Sequence, residues 1–520
     1  MVRKWLFFLL FLFVIIQEGV FAHALLERAI PAPDSQLSSS PSDITLTFNE
    51  RLERELFYIK VFNSQGRPVM ENPTEMSQNQ KELHLSLPTL EDDVYTVTYS
   101  VISADGHPIR GSYVISVGKA PISEKTDQAD HVHGEHEAST QIGIFGIRIF
   151  YFFSLLLISG WIAWGHFLPI ESIELQKIYL EWTSYLQKVY LFTLLAMIFV
   201  QLGDLLTDWG FNEITALLFK TSTGLSLTLS LFLSILGFFI LRRKKWVDAV
   251  WVIMLLTAKS ISGHAIAFEP PMRTVLLDMV HLLAASIWTG GLCYLLLFWK
   301  GHREPIMRFL PLFSKAALAS ITVLAITGTL STLIFLPKLS YIFETTWGIL
   351  LLAKVFLVGL VIMVGAILRQ GIKKKSIDQI NIGLKVDVGL MTLIVIIVGV
   401  FTYLSPLPPN QPLYWHDRSK SVPRITTQIT PNVPGVNHFS VDVSLTKPEL
   451  KIKQVELSLT YQDDPEIAPI KVPLKAELPG EHHFVSDGPY LPFAGSWTAE
   501  VRVMDSEDNE TVYTKDFTIY

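Results

Sequence analysis

The sequence predicts a multidomain membrane protein: an all-β domain in front, an eight-helix transmembrane domain in the middle and a second all-β domain at the end. Three observations predict it. Half of the 520 residues are hydrophobic and only 17% are charged, so much of the chain belongs in a bilayer. Eight apolar runs, each near the ~20 residues that cross one, crowd between Gly143 and Leu404. On either side the pattern changes to period-two alternation, the mark of half-buried strands. The remaining composition narrows the function. A formal charge of −6 argues against nucleic acid as a partner. The single cysteine, Cys293, excludes an intrachain disulfide and any multi-cysteine metal site. No Gly-rich phosphate loop is present, so nothing suggests nucleotide-driven pumping.

Residues 1–22 have a basic start, an apolar run from Leu6 to Ile16, and small side chains at Val20 and Ala22. That is a signal peptide. Cleavage after Ala22 would make His23 the first residue of the mature chain. Its free α-amine and its imidazole could then chelate one metal ion together.

Residues 23–120 alternate as strands do: Ile44, Leu46 and Phe48 on one face, then ELFYIKVF, ELHLSL, VYTVTYSVIS and SYVISV. Turn residues such as Asn63-Ser64-Gln65-Gly66 separate them, so a small antiparallel sandwich or barrel is expected. A polar linker, 121–142, carries HVHGEHE with His131, His133 and His136. Such a tract collects metal loosely or serves as a solvated tether. The tether is the plainer alternative.

The membrane domain is expected at 143–404, with runs near 143–168, 184–205, 222–241, 246–263, 274–298, 309–336, 346–369 and 386–404. Arg242 to Lys245 follow the third run, Lys300 and Arg303 the fifth, and Lys373 to Lys375 the seventh. All three clusters fall on one side, which the positive-inside rule assigns to the cytoplasm. Both ends of the chain then lie outside a plasma membrane that it crosses many times. Residues 405–520 begin with a Pro-rich joint and continue in alternating segments, HFSVDVSL, KQVELSLTY and SWTAEVRVM. They predict a second β-sandwich, also outside.

In the front domain, Asp105 and His107 stand two apart in Ser103-Ala104-Asp105-Gly106-His107-Pro108. An extended or tightly turned backbone points both side chains the same way, and Gly106 lets the loop bend. With the His23 amine and imidazole they provide three nitrogens and one carboxylate oxygen. Tetragonal N/O ligation suits Cu(II); zinc could use the same donors in a tetrahedral arrangement. Against this stands a plain alternative. A lone histidine in a β-domain is usually structural or exposed, and Asp-Gly is usually a turn.

The mature start HALLERAIPAPDSQL, the strand TLTFNERLE and the segment SADGHPIRGSYVISV resemble CopC, the periplasmic copper-binding family. The resemblance covers about 100 residues. It implies an Ig-like β-sandwich that binds Cu(II) through His23, Asp105 and His107. Glu50, in FNERLE, lies near where some family members place an extra carboxylate. Some relatives add a Met-rich Cu(I) site, for which this chain offers only Met70 and Met76.

Polar residues within membrane spans are costly and therefore point to function. Asp278 and His281 share one face of the fifth span, and His264 in SGHA ends the fourth. Met272 and Met279 supply thioethers, which suit Cu(I). Lys354 lies too deep to snorkel and is expected to pair with a carboxylate such as Asp278. That pair could be purely structural, the methionines could be packing, and His166 near the inner end of the first span could simply reach the interface. The segments SGHA, the D-x-x-H and TGG features at 278–291, FSKAAL, the Thr-Gly pair at 327–328 and TTWGILLLAK resemble the CopD integral-membrane family. The whole then looks like a CopC–CopD fusion, with a tail, PFAGSWTAEV, similar to a YtkA-type β-domain. Its His438, His482 and His483 are more plausible as surface residues than as ligands.

The resemblance implies copper acquisition, with Cu(II) captured outside and copper, as Cu(I) in the membrane, passed inward. The alternative is copper tolerance by sequestration or export. A copper oxygenase is a minor alternative, because Asp105 would occupy an equatorial position, and no enzyme activity is expected. The implied partners are copper ions, the lipid bilayer and extracytoplasmic copper chaperones, with no nucleic acid.

Overall fold

The computed structural model describes residues 26–118 and 137–520, except 34, 49, 71, 105, 168–171, 207–209, 269, 300, 337, 405, 407, 409, 418–422, 445–450, 465–466, 477–481 and 493. It also leaves out the side chains of Glu27, 137–142 and His264.

The front domain is two facing sheets. One is ordered β1-β3-β6-β5, from β1 (Leu26–Ile30), β3 (Asp43–Phe48), β6 (Glu82–Ser86) and β5 (Glu75–Met76). The other is β2-β8-β7-β4, from β2 (Ser35–Leu37), β8 (Pro108–Val117), β7 (Val94–Ile102) and β4 (Tyr58–Phe62). Among the described residues only β2 pairs in parallel, with β8. The alternation dictates the core: Ile44, Leu46 and Phe48 point inward from β3 to meet Val97 and Ile115 from the other sheet. Fully burying side chains of this size contributes about 1.5–3 kcal/mol each.

The middle of the chain is helical, with eleven helices among the described residues rather than eight. They are α1 (Glu137–Trp164), α2 (Ile173–Leu205), α3 (Phe211–Lys220), α4 (Ser222–Ile240), α5 (Lys245–Ser260), α6 (His264–Ala267), α7 (Pro271–Phe298), α8 (Arg303–Phe335), α9 (Tyr341–Glu344), α10 (Thr346–Lys373) and α11 (Ile377–Phe401). Helix α1 starts inside the segment expected as linker. Short helices α3, α6 and α9 are connections that no apolar run announces. Among the described residues, seven helices are long and apolar enough to cross a membrane. The fourth apolar run becomes α5, whose 16 residues reach about 24 Å at 1.5 Å per residue.

Local chemistry sets the helix starts. The hydroxyls of Ser172, Thr221 and Thr345 accept the N–H of Leu175, Gly224 and Gly348, and α7 opens on Pro271. These caps satisfy backbone donors that would otherwise face lipid. Gly160 and Gly290 allow α1 and α7 to touch, since a Cβ on Gly160 would overlap Ser286 O. Small residues at a membrane helix interface act in this way.

The tail is also two sheets, β14-β15-β11-β10-β9 and β13-β12-β16-β17. Its strands run from β9 (Leu413–His416) through β10 (Arg424–Thr430), β11 (Gly435–Ser444), β12 (Ile452–Tyr461), β13 (Ile470–Val472), β14 (Lys475–Ala476), β15 (His483–Leu491) and β16 (Gly495–Asp505) to β17 (Glu510–Ile519). Trp497, Phe439 and Val501 fill the space between them.

Both β-domains sit on one face of the helical layer. Arg51 donates to Ile266 O just past α5 (2.7 Å), Gln201 near the end of α2 donates to Gly106 O (3.2 Å), and Ser222 at the start of α4 donates its N–H to Glu53 Oε1 (2.9 Å). Ile102, Leu205, Leu206 and Leu217 form an apolar seam beside these bonds. The tail attaches to the segment before α10, through Lys338 to Asp463 (2.6 Å) and Tyr520 to Glu344 (2.8 Å). Because α4 begins, and the chain after α5 ends, against the same domain, the two helices form a hairpin through the layer despite the shortness of α5. The basic cluster at 242–245 turns this hairpin at the opposite face.

Candidate metal centre

The loop between β7 and β8 is built by its own hydrogen bonds. Ser103 N–H donates to His107 O (2.9 Å), Gly106 N–H to Ser103 O (2.9 Å), and His107 N–H to Ser103 Oγ (3.1 Å). Gly106 takes φ +90°, where a side chain is strained. Ala104 N–H donates to Arg51 O (2.9 Å), tying the loop to the segment of Glu50 and Arg51. The result is a rigid mount that presents His107 at 9% exposure.

What His107 meets is the helical domain. Its ring stands edge-on to Tyr403, just past α11, with centroids 5.2 Å apart. The Arg148 guanidinium lies 5.2 Å from the Tyr403 ring and donates to Thr402 O (3.0 Å). On the far side of the dock, Glu53 is buried at the start of α4. Burial holds its carboxyl above the usual carboxylate range, against the opposite pull of the Ser222 donors.

Beneath this contact the charges continue inward. Lys259 on α5 lies within electrostatic reach of both Arg148 and Asp278. Lys354 on α10 acts on Asp278 and on His281. One carboxylate therefore serves two lysines, whose ammonium groups lie over the rings of Phe152 and Phe401 (5.5 and 5.6 Å). His281 Nδ1 is 2.8 Å from Thr327 Oγ1. The expected proximity of Asp278 to Lys354 is present, and Lys259 joins them.

The other anticipated residues are distributed as follows. His23, Asp105 and the linker histidines His131, His133 and His136 lie outside the described residues. Glu50 is half-buried, with Oε1 shut off from solvent. His264 begins α6, and Arg51 grips the backbone two residues on, at Ile266. Met272 is 80% exposed and stands away from Asp278 and His281, whereas Met279 is held by a hydrogen bond from Thr257 to its sulfur (3.2 Å). His166 pairs with Asp248 (2.7 Å), a structural tie at the opposite face. In the tail, His438 pairs with Asp487 (2.8 Å) and His483 with Asp442 (2.6 Å) across neighbouring strands, an ordinary surface arrangement. Among the described residues no three His, Cys, Asp or Glu side chains converge as a metal site.

Sequence reasoning missed Arg148, Lys259 and Tyr403, and named Thr327 only as half of the Thr-Gly pair that resembles CopD. For the two cations the signal was present: both are charged residues inside apolar runs, IGIRIF and LLTAKS. Nothing local marks Tyr403.

The seating predicts a consequence for Gly106. A Cβ there would overlap Thr223 Oγ1 and would also carry the roughly 1–2 kcal/mol of a left-handed backbone. Gly106→Ala is expected to loosen the front domain from the helices. Amide exchange should accelerate together at 103–107 and at 222–224. Unchanged exchange at 222–224 would disprove the seating.

Comparison with known proteins finds family matches for two stretches of the chain. A model of the CopC domain matches residues 26–118, and a model described as Copper resistance protein D matches residues 307–401. The Copper transport protein CutJ of Bacillus subtilis (strain 168) is 28% identical over 485 residues, 88% of this chain and 88% of the relative. Protein YobA of Escherichia coli (strain K12) is 33% identical over 105 residues, 20% of this chain and 85% of YobA. Among solved structures, CopC from Methylosinus trichosporium OB3b shares 30% identity over 18% of this chain and 93% of its own, at a TM-score of 0.18. PcoC from Escherichia coli, a methionine-rich copper resistance protein, shares 27% identity over 18% of this chain and 99% of its own, at 0.17.

Proposed function

We propose that this chain, which joins a CopC domain to a CopD membrane domain on one polypeptide, acquires copper, capturing Cu(II) outside the plasma membrane and passing copper inward between its helices. The observation that carries the proposal is the seating of the His107 loop on Tyr403 and Gln201, beside Arg148, whose charge acts on Lys259 of the charged cluster. A capture site that discharged into solution would not need to be held there.

In this reading His23, through amine and imidazole, joins Asp105 and His107 in a three-nitrogen, one-oxygen set that suits Cu(II). Glu50 stands near as a further carboxylate. Copper would then move past His264 to Asp278 and His281, with Met272 and Met279 as outlying thioethers. Lys259 and Lys354 neutralise Asp278 while no metal is there, since an unpaired carboxylate in the membrane is costly. An arriving cation competes with them for the carboxylate. Eight crossings, with α5 completing its hairpin, would leave both β-domains outside, and the basic clusters agree with that orientation.

A second reading, copper tolerance by sequestration or export, is favoured by the description of the matched membrane family as resistance proteins. Cellular copper separates the two. Deleting the gene should lower copper content at limiting external copper. A rise would instead establish tolerance.

A further inference from the structure

We propose that Thr327 is a positioning residue for His281: it sets the tautomer of the imidazole and so decides which ring nitrogen is offered to the metal. This rests on the reading of His281 as a station for copper.

Three separate segments meet here: the D-x-x-H stretch of α7, the Thr-Gly pair of α8 and the lysine of TTWGILLLAK on α10. Thr327 Oγ1 is 2.7 Å from Val323 O, one turn back on its own helix, and 2.8 Å from His281 Nδ1. A hydroxyl has one proton and two acceptor lone pairs. A carbonyl oxygen can only accept, and two of them lie by the hydroxyl, Val323 O at 2.7 Å and Leu324 O at 3.4 Å, so we assign the hydroxyl proton to Val323 O. With that assignment the Thr327 oxygen accepts, and the proton between it and the ring belongs to Nδ1. His281 is thus held as the neutral Nδ1–H tautomer, with its lone pair on Nε2. Among the described residues nothing hydrogen-bonds Nε2.

An imidazole ligates a metal through the nitrogen that lacks hydrogen, and the partner of the other nitrogen fixes ring orientation. Here that partner is neutral and comes from a neighbouring helix. Gly328 lies beside the ring, where an added Cβ would be 3.7 Å from His281 Cε1. The ring edge therefore lies along α8, and Nε2 is the atom left to meet copper.

The test compares Thr327→Val, which keeps the shape and loses the acceptor, with Thr327→Ser, which keeps the acceptor. Full-length protein labelled with ¹⁵N-histidine reports the tautomer by solid-state NMR in lipid, with His281→Gln to assign the signal and no copper present. The same proteins in vesicles report uptake of ascorbate-reduced copper. We expect valine to abolish the pure Nδ1–H signature and lower initial uptake by about 10- to 100-fold, as for other lost partners of a ligating histidine. Serine should retain both. An unchanged His281 signal in the valine variant overturns the inference, as does a changed signal with full uptake. Wild-type vesicles that move no copper would instead defeat the acquisition reading, and the copper-free NMR comparison tells that failure apart.

Discussion

Replacing His107 with alanine is expected to remove tight Cu(II) binding from the full-length chain. The loss should exceed the roughly 10- to 100-fold that follows removal of a mere partner of a metal ligand, because a donor to the metal itself is gone. Its mount should survive, since the loop is held by backbone and Ser103 hydrogen bonds that do not involve the imidazole. Inserting one residue between Ala22 and His23 should do comparable harm by taking the α-amine away from the imidazole. Copper EPR reads both variants through the hyperfine pattern of the equatorial nitrogens. A wild-type spectrum from either would sink the assignment of that donor.

Removing the charge of Asp278 should have the largest effect on the membrane domain. Asp278→Leu takes from Lys259 and Lys354 the carboxylate that acts on both, with Arg148 still acting on Lys259. Stranding cations in this way costs up to the roughly 3–5 kcal/mol of a broken buried pair, enough to unfold many domains. The folded yield in detergent and the thermal midpoint should fall sharply. Adding Lys354→Met should recover much of that stability, since an apolar replacement of both partners is often neutral. Copper uptake should be absent from both variants, because neither has the carboxylate. Wild-type stability of Asp278→Leu would show that the lysines do not depend on Asp278.

How much of this was legible in sequence differed by element. Ile44, Leu46 and Phe48 face the front core as their alternation requires, because a strand buries one face and period two is visible locally. All eight apolar runs contain helices, since lipid leaves the backbone no other partner. The limits of those helices were less visible. Helix α1 begins at Glu137 in a polar segment, and α5 is shorter than its apolar run because the chain turns at Ser260 to meet the front domain.

The candidate site divides in the same way. The donor chemistry proposed for His23, Asp105 and His107 follows from residue types and an expected cleavage site, neither of which needs coordinates. The proximity of Lys354 to Asp278 was also foreseeable, because a charge that cannot reach water must find a partner.

The sequence by itself therefore determined the class of the protein, its β–helical–β order, and the kind of metal its front site suits. Only the tertiary structure decided that His107 is seated on Tyr403, that Lys259 shares Asp278 with Lys354, and that Thr327 meets His281. The physical reason is range. Periodicity and ligand type are local properties, whereas Arg51 with Ile266, Arg148 with Thr402 and Glu53 with Ser222 join residues far apart in the chain. Such contacts exist only once helices and sheets have packed, and no spacing within a segment encodes them.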